Sequence, residues 1–181
     1  YLSAAASTTD DCRKAVLNKE YDIKTASVDL CPVNGVYYGG IMLGITGTIG
    51  GGTTANPSIM ISLEDSGTGG TWQKLRVYGY DADKKEHQIV NEGQNALIYS
   101  SNEAQAVNLK IDISDSKLLI TITPLSGTTT PYQREVDIAE YTYEGSKRFT
   151  GESLEGKIGL FARTTATGLD SFKITCASRI Y

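Results

Sequence analysis

The chain has 181 residues, a formal net charge of -4, and 40% hydrophobic residues. This length favours a single domain whose core is large enough to fold without a metal or a dense set of disulfides. The basic residues are scattered, and the longest apolar run, over residues 36–45, is short and interrupted by glycine. We therefore expect neither a nucleic-acid partner nor insertion into a membrane.

The first nine residues differ in composition from the rest of the chain. Residues 1–9 are rich in alanine, serine and threonine, which is typical of a linker or of the remnant of a processed N-terminus. Residues 10–181 are then expected to form one β-sandwich domain. The 19 glycines, together with many threonines and serines, suit an all-β protein with many turns.

Short runs of alternating apolar residues dominate the first half of the chain. Residues 21–30 predict a strand whose apolar parity changes near Thr25, which indicates a β-bulge. Residues 35–46 predict a strand with Ile41, Leu43 and Ile45 on one face. Residues 59–63 and 72–80 predict two more strands, the second with Leu75 and Val77 directed inward.

The second half of the chain contains the clearest hairpin. Residues 107–113 and 118–122 alternate regularly on either side of a short Ser-Asp-Ser turn. Residues 134–139 predict a further strand, with Val136 and Ile138 inward. The runs at 156–163 and 169–175 predict a closing hairpin across a Thr/Ala/Gly turn. Since no segment has a helical period, the sequence predicts an all-β, antiparallel, two-sheet sandwich of jelly-roll type.

A family resemblance supports this architecture. The pattern G-x-I-G-L at 156–160, followed by D-x-F-x-I at 170–174, resembles the closing strands of concanavalin A-like jelly rolls. Together with residues 22–30, 39–43 and 108–122, these motifs follow the order seen in laminin G-like domains, in modules appended to family-32 glycoside hydrolases, and in keto-disaccharide hydrolase-like domains. The resemblance implies that the last strand lies beside an early one. We accordingly expect residues 172–174 to run antiparallel to residues 26–28.

One face of the strand at 72–80 carries aromatic and basic side chains. Aromatic rings stack on the C–H faces of sugars, and arginine donates hydrogen bonds to sugar hydroxyls or to a sugar carboxylate. The alternative, which the sequence leaves open, is that these rings pack under a loop or at the rim of the sandwich. The predicted ligand-binding residues are Trp72, Arg76, Tyr78, Tyr80, Tyr37 and Tyr38.

The leading functional hypothesis is a non-catalytic, lectin-like, carbohydrate-binding module. Its partner would be an oligo- or polysaccharide, and it would belong to a larger exported protein that degrades glycans or acts at the cell surface. The composition, rich in threonine and glycine with few lysines, indicates an extracellular or cell-surface location. A structural or adhesive spacer domain without a sugar site is another hypothesis.

An enzymatic alternative is a glycoside hydrolase, either a family-16-like endoglycanase or a keto-disaccharide hydrolase-like enzyme, and it rests on the segment E-V-D-I-A-E at residues 135–140. It resembles the active-site strand of family-16 endoglycanases, which implies Glu135 as nucleophile, Glu140 as acid/base and Asp137 as the residue that tunes the nucleophile. A retaining glycosidase needs two carboxylates about 5 Å apart. However, carboxylates that alternate with valine and isoleucine are also typical of any half-exposed strand. We expect this strand to be non-catalytic.

The cysteines and the single histidine disfavour a zinc site. Cys12, Cys31 and Cys176 are odd in number and form no C-x-x-C pair, and His87 is the only histidine. If one disulfide forms, the expected strand pairing favours Cys12–Cys176, with Cys31 as a small buried hydrophobe. No cofactor is expected. A structural calcium ion held by loop carboxylates is possible, because related sandwiches often bind one. The sequence does not locate such a site.

Overall fold

The computed structural model describes residues 2–3, 12–32, 38–45, 59–64, 74–80, 86–91, 106–126, 130–139, 153–163 and 167–179. Its strands are β1 (Leu2–Ser3), β2 (Cys12–Val16), β3 (Tyr21–Pro32), β4 (Tyr38–Ile45), β5 (Ile59–Glu64), β6 (Lys74–Tyr80), β7 (Glu86–Asn91), β8 (Val107–Ser114), β9 (Lys117–Pro124), β10 (Tyr132–Asp137), β11 (Leu154–Arg163) and β12 (Thr167–Arg179). Within these ranges, no helix has the length and apolar character needed to cross a membrane.

All strand pairs are antiparallel, and they form two layers. Sheet A has the order β1-β12-β3-β8-β9-β10. Sheet B has the order β2-β11-β4-β5-β6-β7. The beginning of β11 also pairs with β3, so this strand passes from sheet A to sheet B. The fold is therefore an all-β jelly-roll sandwich, as the alternating patterns predict.

The main core lies between the two sheets and follows from alternation along the strands. Sheet A contributes the inward residues of β8 and β9, which are at most 5% exposed. Burying each such aliphatic side chain stabilises the fold by about 1.5–3 kcal/mol. The β8–β9 hairpin closes through Asp115 and Ser116, whose φ angles of 48° and 63° are those of a two-residue turn that matches the twist of the strands. The hairpin prediction is confirmed.

The pairing of β12 with β3 is also confirmed. Ile174 lies opposite Ala26, and Thr175 lies opposite Thr25. The register then shifts, so that Cys176 lies opposite Ile23. This irregularity explains how Ile23 and Ala26, which differ in parity, are both fully buried. The bulge predicted near Thr25 is therefore present.

Two glycines allow β11 to change sheets. Gly44 and Gly156 have φ angles of 64° and 139°, which side chains rarely tolerate. A Cβ atom on Gly156 would lie 2.7 Å from the Cα atom of Gly44, so the two backbones contact each other directly. Because the chain turns at Gly44, Ile45 packs with Met42 on the other face of sheet B. The expectation that Ile45 shares a face with Leu43 is wrong.

The expected closing hairpin is not formed. β11 pairs with β2, β3 and β4, whereas β12 pairs with β1 and β3. The strands β2 and β4 occupy the two edges of β11, so neither edge is left for β12. Leu160 and Phe161, which point to opposite faces of β11, are both buried. A strand that is buried on both faces has the character of an interior strand of a sheet.

The N-terminal segment contributes a short strand to the fold. Leu2 and Ser3, which the sequence assigns to a linker over residues 1–9, pair with β12 at the edge of sheet A. The other seven residues of that segment lie outside the described residues.

The predicted Cys12–Cys176 disulfide is incompatible with the strand register. Cys176 lies opposite Ile23, whose other neighbour is Leu154 at the start of β11. Cys12 lies opposite Arg163, at the far end of β11. A disulfide requires Cα atoms within about 7 Å, and this separation spans most of a ten-residue strand. Cys31 lies opposite Gly168, and its predicted burial concerns a side chain that the structure does not describe.

Candidate functional site

Strand β5 is buried on both faces. Ile59, Ile61 and Leu63 face the main core, as their alternation predicts. The intervening side chains, Met60, Ser62 and Glu64, are buried as well. A strand that covers only one core would expose them to water. The second face of sheet B is therefore an interior surface, and it contains polar groups.

The apolar part of this second face is a separate hydrophobic cluster. Met42, Met60 and Tyr78 lie in one row across β4, β5 and β6. They pack with Ile45 and Phe161. Tyr78 is only 6% exposed, so its ring belongs to the interior of the fold. Of the two interpretations that the sequence leaves open for Tyr78, this burial favours packing over an exposed stacking platform.

The polar part lies one row further along the strands. Arg76 on β6 is opposite Ser62 on β5. The Arg76 Nε atom lies 3.2 Å from Oε2 of Glu64, and Nη1 donates a hydrogen bond of 2.9 Å to the hydroxyl oxygen of Tyr78. The side chain of Glu64 is 9% exposed, whereas that of Arg76 is 28% exposed. The guanidinium therefore has a partner on two sides, and the Arg76 side chain as a whole remains partly exposed.

This arrangement makes Glu64 and Arg76 interdependent. Removing one partner of a fully buried ion pair costs about 3–5 kcal/mol, because the other charge is left uncompensated. Here the cost is smaller, since the Arg76 side chain is 28% exposed and the pair is not fully buried. Its planar fork is directed by two fixed partners, which limits the orientations that it can adopt.

Ser62 on β5 and Gly40 on β4 lie beside Arg76 in the same row across sheet B. The Ser62 Oγ atom is buried and has no hydrogen-bond partner within the described part of the chain, a condition that costs about 1–3 kcal/mol. Gly40 lies opposite Ser62 on the other side, and a Cβ atom there would overlap the carbonyl oxygen of Ile61. Strand β4 therefore places no side chain between Ser62 and Phe161.

The structure tests the other predicted ligand-binding residues only in part. Trp72 and Tyr37 lie outside the described residues. The backbone of Tyr38 lies opposite Glu64, and that of Tyr80 lies opposite Glu86, but neither side chain is described. Of the predicted set, the structure therefore brings Arg76 and Tyr78 together.

Glu64 is the member of this site that the sequence analysis missed. It follows an alternating apolar run, and its period places it on the same face as Ser62. That signal is present in the sequence. What connects Glu64 to Arg76 is the register between β5 and β6, which neither strand specifies on its own.

The candidate catalytic strand lies elsewhere, at the edge of sheet A. Val136 and Ile138 are buried while Glu135 and Asp137 are exposed, as predicted. Glu135 forms a 2.7 Å ion pair with Lys117, and its side chain is 61% exposed. Asp137 accepts a 2.9 Å hydrogen bond from the backbone N–H of Ala139.

These contacts give both carboxylates structural partners at the surface. The hydrogen bond and charge of Glu135 raise the pKa of Lys117 above its usual value. Glu140, the predicted acid/base, lies outside the described residues. The catalytic geometry that the family-16 resemblance implies is therefore not tested here.

Metal ligands do not converge in the described part of the chain, where no three histidine, cysteine, aspartate or glutamate side chains form a group suited to an ion. His87 lies in β7 opposite Gly79. The calcium site remains a prediction.

The fold has counterparts among solved structures. No protein-family model matches the chain, and no curated protein matches it. The chain is similar to the carbohydrate binding module CBM66 from Bacillus subtilis, with 10% identity over 91% of this chain and 81% of that chain, and a TM-score of 0.58. It is also similar to the Crh5 transglycosylase in complex with NAG, with 10% identity over 92% of this chain and 69% of that chain, and a TM-score of 0.51. The likeness is one of fold.

Proposed function

We propose that this chain is a non-catalytic carbohydrate-binding module and that Arg76 contacts the sugar. The observation that carries the proposal is the side chain of Arg76, which is 28% exposed and whose guanidinium Glu64 and Tyr78 hold in position. A donor that is fixed before binding loses little conformational entropy when the ligand arrives.

The chemistry of arginine suits this role. Its planar group presents several N–H donors in a fixed fork, and the hydroxyl oxygens of a sugar accept such bonds. Trp72, two residues before β6, supplies the aromatic surface for stacking in this proposal, because buried Tyr78 cannot. The roles of Tyr37, Tyr38 and Tyr80 at the same site are part of the proposal.

The comparisons support the proposal by analogy of fold. One similar structure is a carbohydrate binding module, and another is a transglycosylase in complex with NAG. A shared sandwich hosts many functions, so the argument rests on Arg76 itself. We further propose a concanavalin A-like relationship, an extracellular or cell-surface location, and a place in a larger polypeptide, for the reasons given by the sequence.

A glycan array tests this function. Wild-type protein should bind at least one oligosaccharide, and Arg76→Lys should weaken that binding by about tenfold or more, because lysine retains the charge but lacks the fork. Lys110→Ala is the matched control, since Lys110 also forms an ion pair, with Asp112, but on sheet A. Thermal denaturation should show that each variant is folded.

Two results would contradict the proposal. One is a wild-type protein that binds no glycan on a broad array. The other is binding that Arg76→Lys and Lys110→Ala leave equally intact.

A further inference from the structure

We infer that Gln88 on β7 is a second residue that contacts the saccharide, and that the saccharide reaches Arg76 from the β7 side of sheet B. This inference rests on the proposed function, and it adds a contact residue and a direction of approach. It comes from a gradient of burial across the second face of sheet B and from a β-bulge in β7.

The second face of sheet B is buried at its centre and open at β7. One row across the sheet contains Met42 on β4, Met60 on β5, Tyr78 on β6 and Gln88 on β7. The first three residues are 4%, 8% and 6% exposed, whereas Gln88 is exposed. Arg76, also on β6, has a side chain that is 28% exposed. Solvent, and therefore a saccharide, reaches this face on the β6–β7 side.

A β-bulge in β7 brings Gln88 to this face. Val90 lies opposite Val77. Gln88 lies opposite Tyr78, so the register skips Ile89. Ile89 and Val90 both pack against the main core although they are adjacent in sequence. In a regular strand Gln88 would share the inward parity of Val90, and the extra residue redirects it to the outer face, as bulges near the edges of sheets commonly do.

The carboxamide of Gln88 suits a sugar hydroxyl. It has one acceptor oxygen and two N–H donors, and a hydroxyl group both donates and accepts hydrogen bonds. Within the described part of the chain this carboxamide has no hydrogen-bond partner, so a sugar would displace only water from it.

Gln88 is also close to the residue that carries the proposed function. It lies directly opposite Tyr78, whose hydroxyl accepts the hydrogen bond from Arg76. Arg76 and Gln88 are therefore diagonal neighbours on adjacent strands, and such neighbours lie roughly 7–8 Å apart. Neighbouring hydroxyls of a short oligosaccharide can bridge two groups at this spacing.

Lys74 defines the alternative direction of approach. It lies on the same face of β6, two residues before Arg76, and is half-buried. A saccharide that approached from this end of β6 would contact Lys74 and leave Gln88 in water. The two directions therefore predict opposite effects of removing these two side chains.

Isothermal titration of matched variants tests the inference, with tetrasaccharides of N-acetylglucosamine, glucose and galactose and the saccharides retained on the array as probes. Gln88→Ala should weaken binding by about three- to tenfold, the effect of one lost hydrogen bond. Gln133→Ala should leave binding unchanged, because Gln133 is an exposed glutamine on β10 of sheet A. Thermal denaturation should show that both variants are folded.

A second measurement needs no variant. In NMR spectra of the wild-type protein, the side-chain amide signals of Gln88 should shift with added saccharide and saturate at the dissociation constant from calorimetry, while those of Gln133 stay constant. Constant Gln88 signals, or binding that Lys74→Ala weakens and Gln88→Ala does not, would overturn the inference and leave glycan binding intact. Failure of the wild-type protein to bind any of the probes would overturn the proposed function, and the inference with it.

Discussion

The Arg76 guanidinium and the Glu64 carboxylate form an ion pair on the face of sheet B that points away from the main core. Residues on either side of them in β5 and β6, Leu63 and Leu75 among them, are buried in that core. Strands β5 and β6 therefore contribute to both faces of sheet B. The face toward the main core stabilises the sandwich, and the opposite face positions the charged groups.

Tyr78 both packs in the second hydrophobic cluster and accepts a hydrogen bond from Arg76. Two substitutions should separate these contributions to stability. Tyr78→Ala should lower the free energy of unfolding by about 3 kcal/mol or more, because a buried ring leaves a cavity among methionines. Tyr78→Phe keeps the ring and removes the hydroxyl that accepts the bond from Arg76, so a loss of about 0.5–1.5 kcal/mol is expected. Urea denaturation measures both. Loss of glycan binding with no change in stability in Tyr78→Ala would mean that the ring acts as a surface platform.

The contact between Gly44 and Gly156 should be equally sensitive. Gly156→Ala places a Cβ atom 2.7 Å from Gly44 at a φ of 139°, so strain and overlap together should cost about 1–3 kcal/mol or more. The matched change is Ser116→Gly in the β8–β9 turn, where φ is 63°. It should leave stability unchanged or raise it by up to about 1 kcal/mol. Thermal unfolding that ranks the two variants in the opposite order would contradict the described backbone.

The Lys117–Glu135 ion pair predicts a pH effect. Because Glu135 raises the pKa of Lys117 above 10.5 in the folded protein, the stabilisation is fully present below 10.5 and is lost as the pH rises through the folded value. The pair is exposed, so the effect on stability is small. NMR titration of the Lys117 side chain should show its pKa fall toward 10.5 in Glu135→Gln. An unchanged pKa in that variant would refute the pairing.

The same carboxylate should be dispensable for chemistry. We predict that the wild-type protein does not hydrolyse a panel of β-glucans and galactans, since Glu135 and Asp137 lie exposed at the edge of sheet A with structural partners. Chromatography of the products after long incubation measures this directly. Turnover that disappears in Glu135→Ala and persists in Lys117→Ala would establish the catalytic alternative.

Alternation of apolar and polar residues correctly predicted the features of the fold that depend on neighbouring residues in the sequence. The β8–β9 hairpin follows from strict alternation around a polar turn, and the pairing of Ile174 with Ala26 follows from matched parity and the family resemblance. The position of β11 could not be predicted in this way, because alternation does not specify which sheet a strand joins. Leu160 and Phe161 are both apolar, which was the only local sign that β11 is interior.

The candidate site shows the same limit. Arg76 and Tyr78 were predicted to share a face, since they are two residues apart in one strand. Their partner Glu64 was not, because its contact depends on how β5 aligns with β6. The burial of Tyr78 could not be predicted either, as it depends on Met42 and Met60 from two other strands.

The most direct test of the central claim observes Arg76 while sugar binds. In NMR spectra of the side-chain Nε–H groups, titration with an oligosaccharide selected on the array should shift the Arg76 signal and saturate at the dissociation constant measured by calorimetry. Arg134, exposed on β10 of the other sheet, should not shift. An Arg76 signal that stays constant while the oligosaccharide binds would contradict the account, because the sugar would then occupy a different surface.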